Sequence, residues 1–107
     1  MFDTHRTAAS IAEKLRSFGC DEVVTAIGRT GVVGVIKGKT DSAGQMIGLR
    51  VDMDALPNAE ATGLDYASQT ACVMHACGHD GHSAMLLGAA KYLTMTRNFD
   101  GSAVVIF

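Results

Sequence analysis

The chain has no tryptophan, one proline and three cysteines among its 107 residues. An odd number of cysteines without a secretory signal argues against a disulfide framework and favours free thiols or metal ligands. A single proline excludes a proline-rich linker. The longest apolar runs are a few residues, far below the roughly 20 that a membrane-spanning helix needs. The length of 107 residues suits one small domain.

An excess of charge of one sign is also missing. The formal net charge is −2, so there is no basic surface of the kind that binds nucleic acid or an anionic membrane. Hydrophobic residues make up 48% and charged residues 19%, a composition that excludes intrinsic disorder. The first residues lack the charged-then-apolar layout of a signal peptide. We therefore expect a cytoplasmic globular domain with no nucleic-acid or membrane partner.

Apolar spacing predicts two helices, over residues 4–18 and 81–96. Asp3 or Thr4 can cap the first helix, and Gly19 can end it. The second helix is apolar nearly all round, so we expect it to be buried on more than one side.

Four strands are predicted between and after these helices, over residues 22–26, 32–37, 46–53 and 103–107. Residues 28–31 are typical of a hairpin turn rather than a phosphate loop, because no helix follows them. The polar segment 57–70 reads as a long loop, a feature that often carries function. The order helix, hairpin, strand, loop, helix, strand predicts a layered α/β domain.

Three of the four histidines lie within residues 75–82, together with one cysteine. In an extended segment His75, Cys77 and His79 would project to one side, and in a helix His79 and His82 would share a face. Thiolate and imidazole together suit zinc and other borderline-soft transition metals. A buried thiol beside a helix cap would account for a lone Cys-x-His pair, so it is the clustering that favours a metal site.

A second group of polar residues lies in the sequence RVDMDALP at 50–57. Alternation along the third strand places Arg50, Asp52 and Asp54 on one face at its C-terminal end, where open α/β sheets bind ligands. Carboxylates there can bind metal or orient a ligand, and Asp52, or Asp80 in the histidine cluster, can orient a ligating imidazole. The alternative is a solvated strand end with an Arg–Asp ion pair.

Taken together, RVDMDALP at 50–57, MHACGHDGH at 74–82 and SAMLLGAA at 83–90 resemble one family, the M20 metallopeptidase-like amidohydrolases. The subgroup is that of hippurate hydrolase and the N-acyl-amino-acid amidohydrolases, including the plant indole-acetyl-amino-acid hydrolases. The opening helix and hairpin are also similar, so the resemblance covers essentially the whole chain. It implies an α/β catalytic domain of the zinc-peptidase type, a mixed sheet with helices packed on it.

The resemblance also implies a site. Cys77 and His79 correspond to metal ligands of the subgroup, and Asp52 to a residue that supports the metal site. Arg50 stands where other branches have a metal-binding histidine, a loss for which the cysteine compensates. The intact enzyme would hold two divalent ions (Zn, Mn, Co or Ni) and hydrolyse the amide bond of an N-acylated amino acid.

Family members are several times longer than 107 residues. They carry a glutamate pair, one the general base and one a ligand, two later ligating histidines, and a lid domain that makes a homodimer. The resemblance therefore implies that residues 1–107 are the N-terminal part of the catalytic domain, without the lid, and inactive alone. The rival interpretation is a non-catalytic metal-binding remnant or regulatory module.

Overall fold

The computed structural model describes residues 3–107, which form two helices and one four-stranded sheet. In chain order the elements are α1 (His5–Phe18), β1 (Glu22–Ile27), β2 (Gly31–Lys37), β3 (Met46–Arg50), α2 (His79–Thr96) and β4 (Ser102–Ile106). The sheet order is β1-β2-β4-β3, antiparallel at the first two pairings and parallel between β3 and β4. The mixed sheet with helices is thus confirmed. Within the described residues neither helix is long and apolar enough to cross a membrane.

Helix α1 buries a stripe of small and branched side chains, among them Ile11 and Leu15, and ends at Gly19 in the left-handed conformation with φ 86°. Glycine tolerates this φ at no steric cost, so it ends the helix as predicted. Thr4, one of the two residues predicted to cap the helix, makes no side-chain capping hydrogen bond. Thr4 stands at the N-cap, but its hydroxyl lies 2.7 Å from that of Thr30 and thereby joins the helix start to the hairpin turn.

The core lies where α1 and α2 pack on each other and on the central strands β2 and β4. Its most completely buried side chains are Leu15, Val32, Ile36 and Val105. Each contributes about 1.5–3 kcal/mol of hydrophobic free energy. This core fixes the start of α2 relative to the sheet, and so positions the histidine cluster.

Helix α2 is buried on one side only, so the expectation of burial on several sides was wrong. Its buried positions include Leu86 and Ala90. On the opposite side Met85, Tyr92 and Met95 are exposed, at 66%, 67% and 74%. No described element packs over this side, although its residues are as apolar as those of the core.

Strand β3 ends at Arg50, three residues before its predicted end. Its ladder with β4 finishes with the hydrogen bond from the Val51 N–H to the Ile106 carbonyl, 3.0 Å long. The chain then leaves the sheet, and residues 51–78 contain no further helix or strand, which confirms the predicted loop. Leu56 and Met74 alone pair across this segment, through two backbone hydrogen bonds of 2.8 and 3.0 Å.

Candidate metal centre

Helix α2 begins at His79, two residues earlier than predicted. Gly78 precedes it with φ 81°, a backbone conformation that glycine adopts without strain. His79 and His82 both lie in the first turn, with ring centroids 5.8 Å apart. The predicted sharing of one helix face by these two histidines is therefore confirmed.

The preceding residues do not form the extended row that would align His75, Cys77 and His79. Ala76 and Cys77 lie in a turn, and both His75 and Cys77 are exposed. Among residues 3–107 there is no group of three or more His, Cys, Asp or Glu side chains placed to hold one ion. An ion bound here would take at most two of its ligands from the described residues as they are arranged.

His79 is anchored by Asp54. Its Nδ1 lies 2.9 Å from the Asp54 Oδ1 atom and 3.1 Å from the Asp54 backbone carbonyl oxygen. The His79 side chain is 16% exposed and that of Asp54 is 32% exposed, so the contact is partly shielded from water. Sequence reasoning placed Asp54 on the same strand face as Asp52 and missed this contact. The Asp-Met-Asp motif was the available signal, but spacing alone does not say which carboxylate meets the imidazole.

Asp52 lies beyond the end of β3 and pairs with the Arg50 guanidinium, with its side chain 42% exposed. An exposed pair of this kind contributes only about 0–1 kcal/mol to stability. The expected common strand face for Arg50, Asp52 and Asp54 does not form, because the strand stops at Arg50. The role of Asp52 in a metal site stays a prediction.

Asp80 lines a cavity of about 230 Å³ between the start of α2 and α1, together with His75, Ser83 and Lys14. Among the carboxylates of the described residues it is Asp54, not Asp80, that hydrogen-bonds His79. A carboxylate does contact the His79 imidazole, but it is that of Asp54 rather than that of Asp52 or Asp80.

The donors present suit part of a transition-metal site. With Nδ1 of His79 engaged by Asp54, the nitrogen left to face a metal is Nε2. Cys77 offers an exposed thiol two residues away. Sulfur and imidazole nitrogen are the ligands that zinc and its neighbours prefer. These residues offer two donors of the kind that such a site uses.

The fold and the two motifs point to one protein family. Residues 48–107 match the model of peptidase family M20/M25/M40, and the chain belongs to this family. The resemblance noted from the sequence is thereby confirmed.

Among relatives, hippurate hydrolase of Campylobacter jejuni is 54% identical over 107 residues, which cover 99% of this chain and 27% of that protein. N-acyl-L-amino acid amidohydrolase of Geobacillus stearothermophilus is 42% identical over 97 residues, 91% of this chain and 25% of the relative. The crystal structure of YXEP of Bacillus subtilis, a dinuclear metal binding peptidase from the M20 family, superposes with a TM-score of 0.91 at 38% identity, covering 99% of this chain and 29% of that one. The chain thus spans about a quarter of the length of these relatives.

Proposed function

We propose that residues 1–107 act as the N-terminal part of the catalytic domain of a metal-dependent amidohydrolase, which cleaves the amide bond of hippurate-like N-acylated amino acids. The observation that carries this proposal is the 54% identity to hippurate hydrolase across 99% of the chain. The aligned region covers both polar motifs as well as the core.

In this proposal the Cys77 thiolate and the His79 Nε2 atom hold metal. Two divalent ions (Zn, Mn, Co or Ni) would, when bound, supply Lewis-acid polarisation of the amide carbonyl and a water of lowered pKa. Asp52 supports the same site by charge, and its carboxylate faces the Arg50 guanidinium. The His79 ring is already oriented without metal, because its Nδ1 atom is hydrogen-bonded to Asp54.

In this proposal the general base is a glutamate outside these residues. The chain has three glutamates, of which Glu13 lies on α1 and Glu22 on β1. Glu60 accepts hydrogen bonds of 2.6 Å from the Thr62 hydroxyl and the Ser68 N–H within the long loop. None of them belongs to the histidine cluster. We therefore expect the 107-residue chain alone to be inactive, since a missing base costs about 10²–10⁴-fold in rate.

The partners follow from the same reaction. The substrate is a small N-acyl amino acid, and a net charge of −2 supplies no basic surface for nucleic acid. A cytoplasmic location and a homo-oligomeric intact enzyme complete the proposal.

A non-catalytic metal-binding or regulatory module is the second candidate. One observation favours it: none of the three glutamates lies in the histidine cluster, and a binding module, unlike a hydrolase, needs no general base. The described residues also contain no group of three or more ligand-type side chains placed around one ion, whereas a catalytic zinc usually takes three protein ligands and a water.

A chimera separates the two candidates. These 107 residues replace the corresponding quarter of the Campylobacter jejuni hippurate hydrolase, and release of glycine from N-benzoylglycine is assayed with Zn or Mn. We expect metal-dependent hydrolysis by the chimera, which the Cys77→Ala chimera loses, and no hydrolysis by the 107-residue chain. A folded, metal-loaded but inactive chimera would favour the non-catalytic module. Turnover by the chain alone, above its Cys77→Ala variant, would mean that the site is complete within these residues.

A further inference from the structure

We propose that Asp54 is the positioning residue of this centre: its carboxylate and backbone carbonyl hold His79 as the Nδ1–H tautomer and leave the Nε2 lone pair for a metal. The inference rests on the proposed function, in which His79 is a ligand. It assigns the orienting function to Asp54 rather than to Asp52 or Asp80.

The tautomer follows from the chemistry of the two contacts. The atoms facing His79 Nδ1 are a carboxylate oxygen at 2.9 Å and a carbonyl oxygen at 3.1 Å. Both kinds of oxygen only accept hydrogen bonds, so Nδ1 must carry the hydrogen and donate to them. A neutral imidazole has one N–H and one lone pair, which places the lone pair on Nε2. An imidazole in the other tautomer would face these oxygens with its own lone pair and be repelled.

Two further contacts hold the partners together without any metal. The paired backbone hydrogen bonds of Leu56 and Met74 join the segment after Asp54 to the segment before α2. The Ser83 hydroxyl donates to the Asp52 carbonyl at 3.3 Å, which ties the first turns of α2 to the segment before Asp54. Asp54 is therefore flanked on both sides by links to the α2 region. The orientation of His79 is built into the fold rather than imposed by a ligand.

The other carboxylates near the motif are placed differently. Asp52 faces the Arg50 guanidinium, and Asp80 lines the cavity that also contains Lys14. Neither makes a hydrogen bond to His79 in the described residues. A carboxylate that holds the second nitrogen of a ligating histidine typically strengthens metal affinity or activity by about 10–100-fold. We assign that effect to Asp54.

The test reads the tautomer directly in the 107-residue chain labelled with ¹⁵N-histidine. Long-range ¹H–¹⁵N spectra are recorded without metal at about pH 9, where imidazoles are neutral. We expect His79 to carry its proton on Nδ1. In Asp54→Ala only the backbone carbonyl remains as an acceptor, so we expect the Nε2–H form to appear beside the Nδ1–H form, whereas Asp54→Asn keeps a side-chain acceptor oxygen and should retain most of the Nδ1–H form. Asp41→Asn, an exposed carboxylate outside both motifs, serves as the charge control and should leave His79 unchanged.

Zinc binding gives the second measurement, by competition with a chromophoric chelator. We expect Asp54→Ala to weaken binding by about 10–100-fold and Asp54→Asn by less. An Nε2–H tautomer in the unmodified chain would overturn the inference without recourse to any variant. Wild-type tautomer together with wild-type zinc affinity in Asp54→Ala would overturn it as well. An inactive chimera whose His79 still carries its proton on Nδ1 would reject the hydrolase proposal and leave this inference standing.

Discussion

Asp52 and Asp54 are two positions apart in one motif, yet they have different partners in the fold. Asp52 faces a guanidinium on the same segment, whereas Asp54 reaches the first residue of α2. The first contact is local and half exposed, and the second joins parts of the chain that are 25 residues apart. A change at each position should therefore have different consequences.

Asp52→Asn removes the charge that Arg50 faces and keeps the side-chain shape. We expect the free energy of unfolding of the chain to fall by less than about 1 kcal/mol, because the ion pair is exposed. In the chimera we expect metal affinity or turnover to fall by less than in Asp54→Ala, because Asp52 makes no hydrogen bond to His79 and acts on the site through its charge alone. Urea unfolding and N-benzoylglycine hydrolysis measure the two effects. If metal affinity and turnover both keep their wild-type values, Asp52 is a surface charge.

Cys77→Ala should sharply lower the amount of divalent metal bound by the protein. Of the three free cysteines, Cys72 and Cys77 are exposed, and Cys20 is partly buried. Burial, and then the neighbouring Asp21 carboxylate, raise the pKa of the Cys20 thiol, which disfavours the thiolate that metals require. Elemental analysis of the chimera after dialysis measures bound zinc or manganese. Cys72→Ala is the matched control and should bind as wild type; equal metal content in the Cys77 variant would remove Cys77 from the site.

Arg97 joins the ends of three elements. It occupies the C-cap of α2, and its guanidinium donates to the Asp21 carboxylate at 2.7 Å and to the Lys37 and Gly19 carbonyls at 2.8 Å each. The Lys37 N–H also donates to Asp21, at 2.8 Å. The ends of α1, β2 and α2 therefore depend on one side chain.

Arg97→Ala should lower the free energy of unfolding by about 1–2 kcal/mol near neutral pH. This is less than buried charge-assisted hydrogen bonds would contribute, because the Arg97 and Asp21 side chains are partly exposed. The Arg97 hydrogen bond, followed by that of the Lys37 N–H, holds the pKa of Asp21 below its ordinary value. A depressed carboxyl pKa stabilises the fold above the unfolded-state pKa, and this contribution disappears as the pH falls through the folded-state pKa. The difference between variant and wild type should thus shrink below about pH 4.

Urea titrations at about pH 7 and pH 3 check this dependence, with Arg6→Ala as the control for loss of an exposed cation. A stability difference of the same size at both pH values would contradict the assigned Asp21–Arg97 coupling.

The elements themselves could be predicted because their signals are local. Apolar spacing and Gly19 suffice for α1, and β-branched runs suffice for the strands. The end of β3 and the start of α2 could not be predicted, since the first depends on the ladder to β4 and the second on the left-handed Gly78. In the site, the ligand candidates Cys77 and His79 come from the family resemblance, because the spacing alone also admits His75 and His82. The contact of His79 with Asp54 depends on the Leu56–Met74 pairing, which no spacing in the sequence encodes.

As a whole the molecule is elongated. Its radius of gyration is 15.5 Å and its extents are 51 × 26 × 20 Å, whereas a compact domain of this length has a radius near 13 Å. Strand β4 is central in the sheet, and among the described residues β3 forms one edge. Met46 and Ile47 on that edge are 71% and 62% exposed. An apolar edge strand with free backbone groups pairs readily with other chains.

Concentration-dependent self-association of the 107-residue chain should therefore decrease in Ile47→Lys, because an outward charge on an edge strand opposes pairing. Light scattering coupled to size-exclusion chromatography over a range of concentrations measures the effect. Ala59→Lys adds the same charge in the exposed loop and should leave association unchanged. An equal reduction by both variants would show that net charge, not the β3 edge, governs association.

The two hydrogen bonds between Leu56 and Met74 give the intervening residues 57–73 a fixed base. Once a loop is closed at its base, doubling its length costs only about 0.6 kcal/mol of entropy. Homologous recombination or directed evolution can therefore exchange this segment as a cassette, with new length and new side chains, at little thermodynamic cost to the scaffold. Since its base adjoins Asp54 and the histidine cluster, such exchanges would diversify the surroundings of the centre while leaving its supporting framework unchanged.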